Sequence, residues 1–230
     1  MIRRRGTRVL APVAAALVLL LAACAAPAVV ARSYDVPPPQ VGFAEFHPDV
    51  PASIAIIGDS TTAWDYAFGG DPTLSWVSTA STWLPVVCGW AESGATVARM
   101  LETATPCPDA RFLVLMGGTN DIPGNTPIPE RLAAVDAIVA TVGAQYPVLL
   151  HVAPLDRYGD RVNEWNAALT AHAQQRGWLV LDPWASAREP TGAFVPGTAI
   201  YDNVHPTPET AVVVGTYIAE SLTLASRFLK

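Results

Sequence analysis

Short apolar runs alternate with amphipathic, helix-like stretches along most of this chain. The runs are rich in Ile, Val and Leu, as expected of strands that are buried on both faces. They occupy residues 54–57, 85–87, 112–116, 148–152 and 179–181. Helical patterns occupy residues 73–82, 95–102, 129–143, 161–175 and 208–228. This alternation predicts an α/β domain with a parallel sheet and helices on both of its faces.

The first apolar run ends in Gly58, Asp59 and Ser60, where the chain is predicted to turn from strand to helix. The carboxyl ends of parallel strands face the crevice in which open α/β sheets bind ligands, so the hydroxyl of Ser60 is expected at a site. A serine in this place also commonly caps a helix. Ser60 is therefore a candidate nucleophile that needs support from the rest of the chain.

Asp202 and His205 form a candidate acid–base pair near the other end of the chain, in the string Tyr-Asp-Asn-Val-His-Pro. A serine hydroxyl attacks efficiently only when a base removes its proton, and a carboxylate beside the base fixes its tautomer. The proline-rich start of the last helical pattern leaves both residues on a loop. The alternative is that Asp202 caps that helix and that His205 is an ordinary surface histidine.

Two glycine-containing segments, residues 92–96 and 117–121, lie between these candidates, and each follows an apolar run. Gly94 offers an unshielded backbone N–H, and Asn120 offers a side-chain amide. With the N–H of Ser60 they make three donors for the negative oxygen of a tetrahedral intermediate. Taken separately, Gly94 is equally well explained as a turn residue and Asn120 as a loop cap.

Together the four segments resemble the SGNH family of hydrolases, also called GDSL-type, whose name lists its Ser, Gly, Asn and His. All four appear in family order, and the resemblance covers residues 53–228. It implies a three-layer α/β/α sandwich with a parallel five-stranded, flavodoxin-like sheet of order 2-1-3-4-5. Thr61 stands where the GDSL motif has leucine. That departure leaves the subfamily, and hence the substrate, open.

The resemblance also implies a role for each residue of the site. Ser60 is the nucleophile, His205 is the base with Asp202 as its partner, and Ser60, Gly94 and Asn120 form the oxyanion hole. The implied activity is hydrolysis of carboxylic esters through an acyl-enzyme, without a cofactor. Two alternatives stay open: an acyltransferase that moves the acyl group to a cell-envelope acceptor, and a non-catalytic envelope lipoprotein.

Competing kinds of site have less support in the sequence. None of the serines lies in the G-x-S-x-G elbow of α/β-hydrolases, and the chain lacks the phosphate-binding pattern G-x-x-x-x-G-K-[ST]. Asp59, Asp202 and His205 could in principle converge on a cation. No second histidine and no Cys-x-x-Cys accompanies them, so no metal site is predicted.

Residues 1–23 predict an export signal. Four arginines among the first eight residues precede an apolar stretch, residues 9–21, that is short for a membrane-spanning helix. The next string, Leu-Ala-Ala-Cys, resembles the bacterial lipobox and implies cleavage before Cys24 with lipidation of its sulfur. An ordinary signal peptide that is cleaved at a nearby small residue is the alternative.

Export sets the expected organisation and location of the mature protein. Residues 24–51 are rich in Ala, Val and Pro and predict a semi-rigid spacer, and residues 52–230 predict the hydrolase domain. We expect a monomer that is lipid-anchored to the outer face of the cell membrane, or secreted. The lipid anchor is its only predicted contact with the membrane.

The charge balance narrows the set of partners. The chain carries fourteen basic and twenty acidic residues, and removal of the signal leaves ten basic against the same twenty. A strongly acidic protein without a basic cluster is unsuited to nucleic acid. The partner that the family resemblance implies is an ester of a small molecule, glycan or lipid.

The cysteines agree with an exported protein. If Cys24 carries lipid, Cys88 and Cys107 remain as a pair in an oxidising compartment and predict a disulfide. Two buried free thiols are the alternative.

Aromatic residues near the catalytic segments are candidates for lining the substrate. Trp64, Tyr66 and Trp90 flank these segments, although core packing explains them equally well. The connections after Ser60 are short except between Trp184 and Tyr201, which predicts an open cleft. An open cleft favours short to medium acyl groups.

Overall fold

The structure is a computed structural model that describes residues 33–35, 52–63 and 74–229. Within these residues six strands form one sheet, in the order β1-β3-β2-β4-β5-β6. The strands are β1 (Ser33–Asp35), β2 (Ile54–Gly58), β3 (Val86–Glu92), β4 (Phe112–Met116), β5 (Tyr146–Leu150) and β6 (Leu179–Leu181). The five strands from β2 onward are parallel. Their order along the sheet is 2-1-3-4-5 counted from β2, which confirms the predicted fold.

Helices cover both faces of the sheet. They are α1 (Trp76–Ala80), α2 (Val97–Thr103), α3 (Asp121–Gly124), α4 (Ile128–Val142), α5 (Gly159–Arg176) and α6 (Pro208–Ser226). The buried side chains of α1 and α6 pack in one core cluster, and those of α2, α4 and α5 pack in a second cluster. None of the helices that the structure describes is long and apolar enough to cross a membrane.

The central strand β2 explains why the first apolar run has no polar alternation. Successive side chains of a strand point to opposite faces, so Ile54 and Ile56 join one core cluster while Ala55 and Ile57 join the other. All five residues of β2 are buried. Full burial of one such isoleucine contributes about 1.5–3 kcal/mol. The segment that follows Gly58 therefore emerges at the middle of the sheet.

The sequence prediction was wrong about the extent of β3. This strand reaches Glu92, whereas the apolar run ends at Val87, because Gly89 and the residues around it continue the pairing. A Cβ at Gly89 would lie 2.5 Å from the carbonyl oxygen of Ile56, so glycine is needed where the two strands approach closely. The longer strand carries the chain to the segment of Gly94.

The fourth predicted strand is displaced by two residues. It begins at Tyr146, where the pattern predicted a start at residue 148. Pro147 cannot donate a ladder hydrogen bond and so hides the start of the strand. The ring of Tyr146 contacts that of Phe112 in β4, with 5.7 Å between their centroids, and stabilises this register.

Parts of the N-terminal region lie outside the described residues. These include the predicted signal at 1–23, the lipidation site Cys24 and most of the spacer at 24–51. Within that spacer, β1 pairs with β3 in the antiparallel direction. The domain boundaries otherwise stay predictions.

The predicted disulfide between Cys88 and Cys107 is present. It joins β3 to the segment before β4 and closes a loop that contains Gly94 and α2. By the chain-entropy model, a loop of this length stabilises the fold by about 3 kcal/mol.

Candidate active site

Ser60 lies in a tight turn directly after β2. The Asp59 carbonyl oxygen accepts hydrogen bonds from the backbone N–H groups of Thr62, at 3.0 Å, and Ala63, at 2.9 Å. A Cβ at Gly58 would lie 2.1 Å from Thr62 Oγ1, so only glycine fits at the start of the turn. The turn leaves Ser60 8% exposed at the carboxyl edge of the sheet.

Asp59 supports the turn from inside the protein. Its Oδ1 accepts the backbone N–H of Thr61 at 3.0 Å and the Thr61 hydroxyl at 2.8 Å. Burial raises the pKa of the Asp59 carboxyl, and the hydrogen bonds from Thr61 act against that rise. The leucine of the GDSL motif has no hydroxyl, so Thr61 adds a bond that leucine would not make.

Ser60, His205 and Asp202 form one continuous hydrogen-bonded series. Ser60 Oγ lies 2.7 Å from His205 Nε2, and His205 Nδ1 lies 2.6 Å from Asp202 Oδ2. With Nδ1–H donating to the carboxylate, Nε2 is left to accept the serine proton. The structure thus brings together three residues that the sequence places up to 145 positions apart.

The loop before α6 holds this pair through its own backbone. Asp202 Oδ1 accepts the N–H groups of Val204 and His205, each at 3.0 Å. Asn203 adopts a left-handed conformation, with φ of 54°, and the Ile200 N–H donates to the His205 carbonyl oxygen at 2.9 Å. Asparagine tolerates this conformation better than most residues. One compact turn therefore fixes the positions of both Asp202 and His205.

Burial controls the charge of His205. It lowers the pKa of His205 to about 4, from the model-compound value of 6.5. The imidazole is consequently neutral at neutral pH, which is the form that accepts a proton.

Gly94 and Asn120 follow the strands on either side of β2. Gly94 has φ of 82°, and no atom of the residues that the structure describes lies within 4 Å of the position a Cβ would take. Asn120 Nδ2 donates to the carbonyl oxygen of Ala95 at 2.9 Å. An amide nitrogen carries two hydrogens, so one of them is left for another acceptor. A side-chain bond thus links the loops that hold the two predicted donors.

Asp121 is a residue whose part in this arrangement the sequence analysis missed. Its carboxylate Oδ2 accepts the N–H of Val97 at 2.9 Å, which links the start of α3 to the start of α2. Asp121 directly follows Asn120 in the sequence, and a carboxylate next to a candidate oxyanion-hole donor was the available signal.

The aromatic candidates differ in where they lie. Trp90 is buried in the second core cluster and lines the space beside Cys88 and Cys107. Arg99 stacks over its ring at 5.6 Å. The structure therefore supports core packing for Trp90 and corrects its assignment as a substrate-lining residue. Trp64 and Tyr66 lie outside the described residues.

No group of three or more His, Cys, Asp or Glu side chains among the described residues is arranged to hold a metal ion.

Comparison with known proteins identifies the family. Residues 56–211 match the sequence profile of the GDSL-like Lipase/Acylhydrolase family. This match covers more than half of the chain and includes Ser60, Gly94, Asn120, Asp202 and His205. No curated protein shows significant sequence similarity to the chain.

Solved structures with the same fold come from several bacteria. A lipolytic protein of the G-D-S-L family from Desulfitobacterium hafniense has a TM-score of 0.60 and 19% identity, over 77% of this chain and 99% of that one. A GDSL-like lipase from Bacteroides thetaiotaomicron has a TM-score of 0.59 and 18% identity, over 77% and 90%. An acetylxylan esterase from Geobacillus stearothermophilus has a TM-score of 0.56 and 16% identity, over 74% and 94%. At such identities the likeness shows the fold, while the sequence profile shows the family. The chain belongs to the GDSL-like lipase/acylhydrolase family and is a serine ester hydrolase.

Proposed function

We propose that this protein is an exported esterase that hydrolyses carboxylic esters through an acyl-enzyme on Ser60. The observation that carries the proposal is the hydrogen-bonded series from Ser60 through His205 to Asp202, with contacts of 2.7 and 2.6 Å. The neutral imidazole and the nearly buried hydroxyl supply the base and the nucleophile that acyl transfer needs.

In the proposed mechanism, Ser60 Oγ attacks the acyl carbon while His205 Nε2 takes the hydroxyl proton. The negative oxygen of the tetrahedral intermediate accepts hydrogen bonds from the backbone N–H groups of Ser60 and Gly94 and from the side-chain amide of Asn120. His205 then returns the proton to the leaving alcohol. Water, activated by the same imidazole, attacks the acyl-enzyme and releases the carboxylic acid.

Asp202 and the oxyanion-hole donors contribute to this reaction in different ways. Asp202 holds the Nδ1–H tautomer of His205 and stabilises the imidazolium that forms. One donor of an oxyanion hole commonly accounts for 10²–10³ in kcat, or about 3–4 kcal/mol.

For the substrate, we propose short to medium acyl groups on a glycan, a glycolipid or a small molecule. The short connections after Ser60 predict an open cleft, and such a cleft buries little of a long acyl chain, so distant methylenes gain less than the ~0.8 kcal/mol of full burial. The excess of acidic residues repels anionic lipid head groups. Tyr201, which is 81% exposed and directly precedes Asp202, offers an aromatic surface for a sugar ring or an alkyl group.

For the location, we propose export followed by anchoring through lipid on Cys24. The lipobox-like string and the basic, apolar N-terminus support this proposal. The disulfide between Cys88 and Cys107 is in keeping with an oxidising compartment.

The experiment is a series of p-nitrophenyl esters from acetate to palmitate, with purified protein lacking residues 1–23. We expect kcat/KM to be highest between the acetyl and medium-chain esters, and Ser60→Ala to remove turnover across the whole series. A maximum at palmitate would overturn the proposed substrate class. Undiminished turnover by Ser60→Ala would overturn the catalytic assignment.

A further inference from the structure

The carboxylate of Asp121 accepts a hydrogen bond from the first turn of a different helix, α2. Asp121 is the first residue of α3 and is 1% exposed. Its Oδ2 accepts the N–H of Val97, the first residue of α2, at 2.9 Å. The first N–H groups of a helix have no partner within it. The capping residue Thr96 accepts from Arg99, and the Val97 N–H has its partner in Asp121.

This contact bears on Gly94 because Gly94 and Ala95 lead directly into α2. Asn120 donates to the Ala95 carbonyl oxygen, and the next residue, Asp121, accepts from Val97. Two neighbouring residues thus hold the segment on both sides of its capping residue. No atom of the described residues lies within 4 Å of the position a Gly94 Cβ would take, so contacts at that position do not fix the Gly94 N–H.

Asp121 is a buried carboxyl whose polar neighbours offset part of the cost of its ionisation. Burial raises the pKa of the Asp121 carboxyl, while the Val97 N–H and the positive charge of Arg131 act against that rise. Arg131 is itself buried and lies over the ring of Trp165 at 4.4 Å. The Trp165 indole N–H donates to the Gly117 carbonyl oxygen at 3.0 Å, which ties the same cluster to the loop that carries Asn120.

We propose that Asp121 is a positioning residue, which holds the start of α2 and thereby fixes the Gly94 N–H in the oxyanion hole. The inference rests on the proposed function, because it takes Gly94 as a donor to the oxyanion. Asp121 does not touch the substrate in this account; it acts through Val97 and Gly94.

The most direct test removes the Val97 N–H and leaves the Asp121 carboxylate in place. Val97→Pro deletes the N–H, and proline is well tolerated as the first residue of a helix. Thr96 has the extended backbone, with φ of −82° and ψ of 166°, that a residue before proline adopts. Val97→Ala keeps the N–H and is the matched control for the loss of side-chain packing.

We expect kcat for p-nitrophenyl acetate to be roughly 10- to 100-fold lower in Val97→Pro than in Val97→Ala, since a small misplacement of a catalytic group has this effect. KM should agree between the two variants, and so should the pH at which activity falls to half on the acid side, because neither His205 nor the binding surface changes. Asp121→Ala should reproduce the loss. Asp121→Asn keeps an acceptor for the Val97 N–H and should recover most of kcat.

Equal kcat values in Val97→Pro and Val97→Ala would overturn the inference, as would Asp121→Asn being no better than Asp121→Ala. Circular dichroism shows which variants are folded, and only folded variants are compared. Ser60→Ala, measured alongside, separates the two proposals. If Ser60→Ala is inactive while the two Val97 variants agree, only the positioning role fails; if Ser60→Ala stays active, the proposed function fails.

Discussion

The carboxylate of Asp202 holds His205 at two points. Asp202 Oδ2 lies 2.6 Å from His205 Nδ1, and Asp202 Oδ1 accepts the backbone N–H of the same histidine at 3.0 Å. The ring and the backbone of the base are thus fixed by one side chain. The tautomer that results leaves Nε2 directed at Ser60 Oγ, at 2.7 Å.

We predict that Asp202→Asn lowers kcat by about 10³–10⁴ without unfolding the protein. The asparagine amide would donate to Nδ1 and favour the tautomer with hydrogen on Nε2, which cannot take the Ser60 proton. Steady-state kinetics with p-nitrophenyl acetate measures the loss. Asp156→Asn is the matched control, because the Asp156 carboxylate also accepts a backbone N–H, that of Phe194 at 2.9 Å. A similar loss of kcat in both variants would contradict the prediction.

The pH dependence of kcat/KM follows from the burial of His205. Because burial lowers the pKa of His205 to about 4, the base stays neutral, and therefore active, well below the ordinary histidine value of about 6.5. The Asp202 carboxylate stabilises the imidazolium and opposes this shift, but burial outweighs it. We predict a profile that is flat near neutral pH and falls toward pH 4. A midpoint between about 6 and 7 would contradict this account.

The sequence indicated the candidate site better than it indicated the strands. Asp202 and His205 are three residues apart, so a local string was enough to suggest their contact. The contact of Ser60 with His205 spans 145 positions and depends on the order of the sheet, which came from the family resemblance. The length of β3 depends on the close approach of Gly89 to Ile56. A run of apolar residues in the sequence does not predict such a tertiary contact.

The ion pair between Arg188 and Asp182 predicts a dependence of stability on pH. Burial raises the pKa of Asp182, but its contacts with His151 and with the positively charged Arg188 lower it, to about 2 overall. Arg188 Nη1 lies 2.6 Å from Asp182 Oδ2. A carboxylate whose pKa is lowered by folding stabilises the fold above its unfolded pKa, and this stabilisation is lost as the pH falls through the folded value.

We therefore predict that Asp182→Asn lowers the free energy of unfolding by about 1–2 kcal/mol at neutral pH, allowing for partial exposure. The difference from wild type should shrink as the pH falls from about 4 toward about 2. Urea titrations across this range measure it. Asp109→Asn, at an exposed position, is the control and should change stability little at any pH. A constant difference between Asp182→Asn and wild type at all pH values would count against the ion pair.

Lipidation of Cys24 predicts where the mature protein is found. In a bacterial host that processes lipoproteins, the full chain should fractionate with membranes, and Cys24→Ser should release it or block its processing. Immunoblots of the fractions and mass spectrometry of the mature N-terminus measure this outcome. An unmodified N-terminus at another small residue would instead support an ordinary signal peptide.

The central claim is that Ser60 is the nucleophile, and a fluorophosphonate probe tests it most directly because it bonds covalently to an activated serine. Ser53 and Ser60 lie just before and just after β2, so Ser53→Ala is the matched control for Ser60→Ala. We predict that the wild type and Ser53→Ala are labelled, with the adduct on the peptide that contains Ser60, and that folded Ser60→Ala is not labelled. Labelling of Ser60→Ala, or an adduct on another serine of the wild type, would contradict the account.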